Sequence, residues 1–385
     1  MDSAPSAEEH DLLEQARAMV PVLAERAAAT VAARDVPRET IADFHRAGIL
    51  RITQPRRFGG LQLRYSVFSR IVELLTEGCA SSAWVYAVLG EHQWLLASFP
   101  LQSQIDVWGD EPQALASSSL APRTVANRVA GGWRLNGQYP FSSGSTHARW
   151  AIIGAFLDPE RDPDSVGYLL VPFTDIEIID DWHVLGLAGT GSRSLLLRDV
   201  FVPEHRCALL SEMHAGTPPG AAVHPDYPMV RAPRGLFVNY SLPPVAIALG
   251  NRALSTALAI LRERVSRGMA RKADSEFVQI TVAEAAAAID AATLTMHRGR
   301  AAAEAMIMRG EPIAEEYVLR TRRDMTHAQH QVQWAVEQLV EVCGARSVYD
   351  ADPLASIRRD ILTVLTHVIA SRQLAMRAWG KWALN

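Results

Sequence analysis

The sequence predicts a mainly α-helical protein with a central β domain. Three observations support this prediction. Ala-rich segments with helical periodicity lie towards both ends of the chain, short β-type runs fill the middle, and a Pro-rich stretch at 221–235 separates those runs from the C-terminal helices. We therefore divide the chain into an N-terminal helical domain (1–111), a middle β domain (112–220) and a C-terminal helical bundle domain (221–385).

Two periodic segments, Glu8–Ala33 and Tyr65–Phe99, predict long helices in the N-terminal domain. Between them, Pro37–Glu39 has the proline and first-turn acidic residue that are typical of a helix start. Trp84 and His92 are eight residues apart within the second segment. Both lie on one stripe if the helix continues through the glycine between them.

Short apolar runs at Trp150–Phe156, Gly167–Val171 and Ser194–Leu197 predict strands of the middle domain. Asn136-Gly137 follows alternating apolar and polar residues and predicts a tight turn. The next segment, Phe-Ser-Ser-Gly-Ser-Thr-His at 141–147, is small and polar where a sheet protein usually places larger apolar side chains. These hydroxyl groups are therefore candidates for holding a ligand.

The segment Glu276–Ala303 carries alanine on most helical faces. A helix that is apolar nearly all round is usually buried. Two interpretations stay open at this point: packing across a subunit interface, or an Ala-rich helix inside one chain.

Composition excludes several classes of protein. The 385 residues carry a net charge of −4, which gives no reason to expect nucleic acid or an anionic membrane as partner. The cysteines, Cys79, Cys207 and Cys343, are too far apart to indicate a disulfide framework or a metal site. The acidic N-terminus lacks the pattern of a signal peptide, and no uninterrupted apolar run reaches the ~18 residues of a membrane span. We expect a cytoplasmic protein without a metal.

Four segments resemble landmarks of the acyl-CoA dehydrogenase superfamily. They are RFGGLQL (57–63), LNGQYPFSSGSTHARW (135–150), GLAGTGSRSLLLRDVFVPEHR (186–206) and RVSRGMARKADSEFVQ (264–279). The resemblance implies the fold of that superfamily: N-terminal helices, a middle β-barrel or sandwich, and a C-terminal four-helix bundle. It also implies a homotetramer.

Within the superfamily, the sequence resembles the two-component, reduced-flavin-dependent monooxygenases of the aromatic-hydroxylase type. The resemblance rests on Phe-Ser-Ser-Gly at 141–144, on Ser-Ala-Trp at 82–84, and on ADPLASIRRDILTVLTH at 351–367. It implies reduced FMN or FAD supplied by a separate NAD(P)H-dependent flavin reductase, with O₂ as co-substrate. An aromatic, phenolic small molecule would then be hydroxylated through a C4a-hydroperoxyflavin.

The resemblance also implies roles for individual residues. His367 would be a pocket base or hydrogen-bond donor, on a helical face shared with Val364, Ser371 and Leu374; a core histidine is the alternative. Ser117 or Ser119 could replace Ser118 in the pocket, because a strand alternates its faces. The implied catalytic residues are His367, His92, Ser118 and Ser143, the flavin contacts are Phe141, Ser142, Ser143, Thr190, Ser192 and Arg264, and the substrate contacts are Trp84, His92 and His367.

Other functions remain as alternatives. An acyl-CoA dehydrogenase needs a carboxylate base, yet 361–385 contains no Asp or Glu, so such an enzyme would have a displaced base. The same scaffold could carry an N- or S-oxygenase, or a non-catalytic helical assembly protein. The sequence Cys-Gly-Ala-Arg at 343–346 replaces a glycine-rich motif of the superfamily, so FMN and FAD both stay open.

Overall fold

The N-terminal part of the chain is helical. The structure is a computed structural model and describes residues 6–160, 162, 165–263, 265 and 271–385. The segment Tyr65–Phe99 is helical as predicted, but the extended backbone of Cys79 (φ −153°) divides it into two helices. The N-terminal helices are α1 (Ala7–Ala33), α2 (Arg38–Arg46), α3 (Tyr65–Gly78), α4 (Ala80–Ala97) and α5 (Leu101–Trp108).

Helix α4 is buried along its whole length and runs straight through Gly90. A Cβ atom at Gly90 would lie 2.5 Å from the ring of Phe68 in α3, so only glycine allows this close helix packing. The predicted stripe that joins Trp84 and His92 is therefore confirmed.

The described strands of the middle region form two four-stranded sheets, in the orders β1-β4-β5-β8 and β2-β3-β7-β6. Side chains of both sheets meet in a separate apolar core that includes Leu135, Ile153 and Leu195, as in a sandwich. The strands are β1 (Ala116–Ser119), β2 (Asn127–Val129), β3 (Gly132–Ser142), β4 (Trp150–Phe156), β5 (Val166–Pro172), β6 (Glu177–Ile179), β7 (Arg193–Pro203) and β8 (Cys207–Leu209).

The β1-β4-β5-β8 sheet is buried on both faces. In β5, Leu169 and Val171 point into the sandwich, whereas Tyr168 and Leu170 belong to the larger core shared with the helices. This double burial explains why the strand reads as a continuous apolar run. It also places β1, on the edge of this sheet, against α4.

The predicted turn at Asn136-Gly137 is wrong, because β3 continues through both residues. The pairing register of β3 and β7 shifts between Leu135 and Gly137, and Gly137 has φ +130°. The dipeptide therefore forms a β-bulge, a position that favours glycine for the same conformational reason as a turn. The hairpin turn lies earlier, at Ala130-Gly131, between β2 and β3.

The C-terminal part is helical, and α9, α10, α11 and α12 pack against one another as a bundle. Gly250 of α9 allows this packing, because a Cβ atom there would lie 2.6 Å from Val332 of α11. The domain boundaries at 111 and 220 stay a prediction. The helices are α6 (Leu210–Ala215), α7 (Gly220–Val223), α8 (Arg234–Ser241), α9 (Pro243–Glu263), α10 (Glu276–Met308), α11 (Glu315–Cys343), α12 (Pro353–Val364) and α13 (Arg372–Leu384).

Helix α10 is not an internal helix of this chain. Ile289 and Met296 are buried in the bundle, but Phe277 and Leu294 are 62% and 69% exposed. Two helical stretches, 234–263 and 276–308, contain 18-residue windows with a mean hydropathy of 1.4, which is long and apolar enough to cross a membrane. Core helices of soluble proteins have the same composition, and both stretches contribute to the bundle core.

Candidate active site

Hydrogen bonds connect α4 with the end of β3 and with the turn before β7. The indole Nε1 of Trp84 donates to Ser143 Oγ at 3.1 Å. Ser143 Oγ lies 2.7 Å from Ser192 Oγ, which lies 2.7 Å from Thr190 Oγ1. Thr190 Oγ1 then donates to the carbonyl oxygen of Leu187 at 2.9 Å. We call Ser143, Ser192 and Thr190 the hydroxyl chain; all three side chains are buried.

Glycine allows the two loops that carry the hydroxyl chain to approach each other. Gly144 has φ +67°, and a Cβ atom there would lie 2.9 Å from Val85 of α4. Its N–H donates to the carbonyl oxygen of Thr190 at 3.1 Å. On the other loop, a Cβ atom at Gly189 would lie 2.4 Å from Thr30 of α1. The serines are therefore fixed by backbone packing on α1 and α4.

Phe141 and Ser142, both predicted flavin contacts, point in different directions. Phe141 is 63% exposed, has the left-handed φ of +66° and meets Trp182 edge to face at 6.3 Å. A non-glycine residue in this conformation is uncommon and often marks a functional site. The hydroxyl of Ser142 is buried and lies 2.8 Å from Ser117 Oγ on β1. Ser142 thus joins two strands and does not enter the hydroxyl chain.

His92 and Ser118 form the second group of the site. His92 Nδ1 lies 2.7 Å from the carbonyl oxygen of Ala116, and Nε2 lies 3.0 Å from Ser118 Oγ. A carbonyl only accepts, so Nδ1 carries the proton of the neutral ring and Nε2 accepts from the Ser118 hydroxyl. Burial lowers the pKa of His92, and the nearby Glu91 charge opposes that effect. The imidazole is therefore neutral near pH 7.

The three serines of β1 face different partners. Ser117 bonds Ser142, and Ser119 Oγ donates to the carbonyl oxygen of Pro140 at 2.7 Å, so both are directed at β3. Ser118 alone of these three bonds His92. Ser118 is therefore the serine of β1 on the His92 side, and its place in a substrate pocket stays a prediction.

His367 lies beyond α12, which ends at Val364. It caps the 3₁₀ turn Val368–Ala370 and accepts from the Ile369 N–H through Nδ1 at 3.3 Å. The predicted helical face around His367 is therefore wrong. Because Nδ1 accepts this hydrogen bond, the proton of the neutral ring lies on Nε2. Burial lowers the pKa of His367 to about 4. Its ring meets Trp84 edge to face at 5.7 Å.

The two groups are arranged along one helix. Trp84 of α4 contacts both the hydroxyl chain and His367, and His92 of the same helix contacts Ser118. Eight helical residues rise about 12 Å. Trp84 and His92 therefore connect the hydroxyl chain with Ser118 over a distance along α4 that suits the length of a small molecule.

Two carboxylates next to the site, the buried Glu91 and the partly buried Asp360, were not predicted. Glu91 pairs with Arg234 of α8 at 2.9 Å and accepts from Ser241 Oγ at 2.7 Å. Asp360 of α12 accepts from the backbone N–H of Leu187 at 2.7 Å, and burial raises its pKa to about 6. The signal for Glu91 was its position beside His92 in an otherwise apolar helix. Arg264, a predicted flavin contact, lies outside the described residues.

The site residues fit the ring system of a flavin. Ser143 Oγ keeps one hydrogen-bonding position unused, Ser145 Oγ is buried without a hydrogen-bond partner, and Phe141 is exposed beside them. Small hydroxyls next to an exposed aromatic ring suit a planar, hydrogen-bonding heterocycle. Among the described residues, no group of three or more His, Cys, Asp or Glu side chains could hold a metal ion.

Comparison with known proteins places this geometry in a family. The model "Acyl-CoA dehydrogenase, N-terminal domain" matches residues 6–110, and "Acyl-CoA dehydrogenase, C-terminal domain" matches 242–372. The chain is 32% identical over 365 residues to "Flavin-dependent monooxygenase, oxygenase subunit HsaA" of Rhodococcus jostii, covering 94% of this chain and 95% of the relative. The chain belongs to the flavin-dependent monooxygenases of the acyl-CoA dehydrogenase superfamily.

Two further relatives agree with this membership. The oxygenase component of an FADH(2)-dependent resorcinol hydroxylase from a Rhizobium species is 36% identical over 352 residues, which are 88% of this chain and 85% of the relative. The crystal structure of 3-HSA hydroxylase from Rhodococcus sp. RHA1 superimposes with a TM-score of 0.93 at 31% identity, covering 98% of each chain. The predicted fold class is confirmed.

Membership also decides between the alternatives. The protein is an enzyme, the oxygenase component of a flavin-dependent monooxygenase, which uses reduced flavin with O₂ as co-substrate. The predictions of family, enzyme class and cofactor are confirmed. The oxygenase subunit or component of such an enzyme works with a separate reductase component. The roles of individual site residues stay predictions.

Proposed function

We propose that this monooxygenase hydroxylates a phenol, and that Ser118 and His92 bind the phenol oxygen. The observation that carries the proposal is the direction of their hydrogen bond. Because the Ser118 hydroxyl donates to His92 Nε2, the lone pairs of Ser118 Oγ remain to accept a phenolic O–H. The names of two relatives support this substrate class, since they are a resorcinol hydroxylase and a p-hydroxyphenylacetate hydroxylase.

The Ser118–His92 pair would polarise the phenol. A proton shifted from the substrate to Ser118, with the Ser118 proton shifted to His92 Nε2, enriches the ring in electrons. General base help of this kind typically contributes 10²–10⁴-fold. The lowered pKa of His92 makes it a weak base, so the pair shares the proton with the substrate more readily than it removes it.

His367 would act as a donor to the substrate. Its Nδ1 is held by Ile369, and its Nε2–H is the remaining hydrogen-bonding group. Its pKa of about 4 keeps the ring neutral at physiological pH. We therefore assign His367 the donor role and not that of the pocket base. Trp84 would set its orientation through the edge-to-face contact.

Phe141 and Ser143 would contact the flavin, with Ser143 nearest to N5, whereas Ser142, Thr190 and Ser192 would hold the two loops and Ser143 in place through their own hydrogen bonds. When bound, the reduced flavin supplies the electrons that activate O₂ for transfer to the substrate. The buried hydroxyl chain keeps water from this end of the site, and a dry site protects reactive intermediates.

We further propose a cytoplasmic homotetramer served by an NAD(P)H-dependent flavin reductase. The exposed apolar side chains along α10 support assembly, because packing against another subunit would remove their apolar surface from water. Phe277, Ile280, Leu294 and Met308 are 49–69% exposed in the single chain. Light scattering at micromolar concentration tests the assembly, and a monomer would contradict it.

A pair of matched substrates tests the proposed chemistry. A phenol and its methyl ether are compared at equal concentration, with reduced flavin, a flavin reductase and labelled O₂. We expect labelled oxygen in the phenol product only, since the ether has no O–H to donate to Ser118. Equal labelling of both compounds would overturn the role of Ser118 and His92.

A further inference from the structure

The protons of the hydroxyl chain can be arranged in one way. The Trp84 indole N–H at one end only donates, and the carbonyl oxygen of Leu187 at the other end only accepts. Between these ends lie three hydrogen bonds, Ser143 to Ser192, Ser192 to Thr190 and Thr190 to Leu187, and three hydroxyl protons to make them. All three bonds are made only when each hydroxyl donates towards Leu187, because any other arrangement leaves one of the three contacts without a proton.

The Leu187 end of the chain is firmly fixed as an acceptor. Its carbonyl oxygen also accepts from the Thr190 backbone N–H at 3.1 Å and lies 3.4 Å from Trp182 Nε1. Its own N–H is held by the Asp360 carboxylate at 2.7 Å. The orientation of this peptide, and with it the direction of the chain, is set from both sides.

This direction determines what Ser143 can offer to a ligand. Its proton is used towards Ser192, and one lone pair accepts from Trp84, so one lone pair remains. Ser143 is an acceptor only. Flavin N5 carries a proton in the reduced state and a lone pair in the oxidised state. An acceptor at N5 therefore matches reduced flavin and faces an unpaired lone pair in oxidised flavin.

We propose that Thr190 is a positioning residue that makes the site select reduced over oxidised flavin. Its hydroxyl passes the chain on to Leu187 and so keeps the Ser143 proton turned away from the cofactor. This inference rests on the proposed contact between Ser143 and flavin N5. A two-component enzyme gains from such selection, because oxidised flavin from the medium would otherwise occupy the site.

Thr190→Val tests the proposal without a change of shape. With the Thr190 acceptor gone, Ser192 donates to Ser143, and the Ser143 proton is free to point at N5. We expect the ratio of the dissociation constants of oxidised and reduced flavin to fall about tenfold or more, the effect of pairing a buried acceptor. Fluorescence quenching measures the oxidised flavin and anaerobic titration the reduced flavin, both on the intact protein.

Matched variants separate the proposal from a structural effect. Thr190→Ser keeps the hydroxyl and should retain the wild-type ratio. Thr76→Val removes a buried hydroxyl that donates to a backbone carbonyl at 2.7 Å in α3, and it should also leave the ratio unchanged. Ser192→Ala breaks the chain at the next link and should lower the ratio as Thr190→Val does. Melting curves establish that each variant is folded.

The outcomes distinguish the two proposals. An unchanged ratio in both Thr190→Val and Ser192→Ala, with Ser143→Ala still altering flavin affinity, would overturn the role of Thr190 alone. Unchanged affinity for both flavins in Ser143→Ala would overturn the contact between Ser143 and flavin, and the selection with it. A wild-type ratio of one would also exclude selection by this chain.

Discussion

The two halves of the site are fixed by different physical means. The hydroxyl-chain half, around Trp84, holds neutral groups whose protons are all committed to neighbours. The histidine half, around His92, lies beside the buried ion pair of Glu91 and Arg234. Hydrogen bonds between neutral groups fix the hydroxyl-chain half, and a buried ion pair lies beside the histidine half. Substitutions of the hydroxyls in the first half should therefore redirect protons, and substitutions around the ion pair in the second should lower reactivity or stability.

The largest expected effect lies in the histidine half. Ser118→Ala removes the hydroxyl between substrate and His92, and hydroxylation should fall about 10²-fold or more, the range of lost proton-transfer help. Product yield per reduced flavin consumed measures it, and flavin affinity should not change. Ser119→Ala is the matched control on the same strand, because its hydroxyl faces Pro140. Equal losses of hydroxylation in Ser118→Ala and Ser119→Ala would indicate a general defect of strand β1. That result would contradict the proposed difference between the two halves of the site.

Breaking the ion pair should show how far charge holds the histidine half. Glu91→Gln leaves Arg234 buried beside a neutral amide, and the free energy of unfolding should fall by about 3–5 kcal/mol. Glu177→Gln is the control, since its pair with Arg198 is exposed and such pairs contribute about 0–1 kcal/mol. Urea denaturation compares the two. Similar small losses would mean that the buried pair does not stabilise this half.

Much of the fold followed from local patterns. Helical periodicity at both ends and β-type runs in the middle reflect which faces are buried, because the spacing of apolar residues follows the buried face. Local chemistry misled where two structures share it. Asn136-Gly137 was predicted as a turn but forms a bulge. Turns and bulges both favour a residue that tolerates an unusual backbone conformation, such as Gly137, so the dipeptide alone does not distinguish them.

The site was less predictable because long-range contacts define it. Asp360 and Leu187 are 173 residues apart, and no local signal marks their hydrogen bond. The end of α12 before His367 has no glycine or proline. Instead, contacts from α11 hold the following turn, with Thr326 Oγ1 donating to Ile369 O at 3.1 Å and His330 Nε2 3.0 Å from Ala370 O. The family resemblance indicated which residues belong to the site, and only the structure shows their hydrogen-bond partners.

Asp360 should make the hydroxyl-chain half sensitive to pH. Its pKa of about 6, above the ordinary 3.8, means that the stability it contributes is present below about pH 4 and lost as pH rises through 6. Arg252 and Arg359 oppose the rise. Burial raises the pKa of the nearby Cys79, and the charge of Asp360 adds to that effect. Asp360→Asn keeps an acceptor for Leu187, so it should gain up to about 3 kcal/mol relative to wild type between pH 4 and pH 8. Denaturation at both pH values measures this, and a difference independent of pH would contradict it.

The smallest expected effect concerns His367, which contacts both halves through Trp84 and the substrate. As a neutral donor it would contribute one hydrogen bond, about 0.5–1.5 kcal/mol, so His367→Ala should lower kcat/KM roughly 2- to 12-fold. His367→Gln, which keeps an N–H, should recover part of that loss. To separate this contact from that of Ser118, His367→Ala and Ser118→Ala are compared on the same phenol and on its methyl ether.

The pH profile decides between donor and base for His367. A group with a pKa of about 4, below the ordinary 6.5, stays neutral above pH 5.5, so wild type and His367→Ala should have parallel kcat/KM profiles from pH 6 to 9. The stability that the neutral ring contributes is present above pH 6.5 and lost as pH falls through 4, so the variant should also resist acid better. A base would give a loss near 10²-fold and an inflection near neutral pH that vanishes in the variant. That result would return proton transfer to His367 and leave Ser118 and His92 as orienting groups.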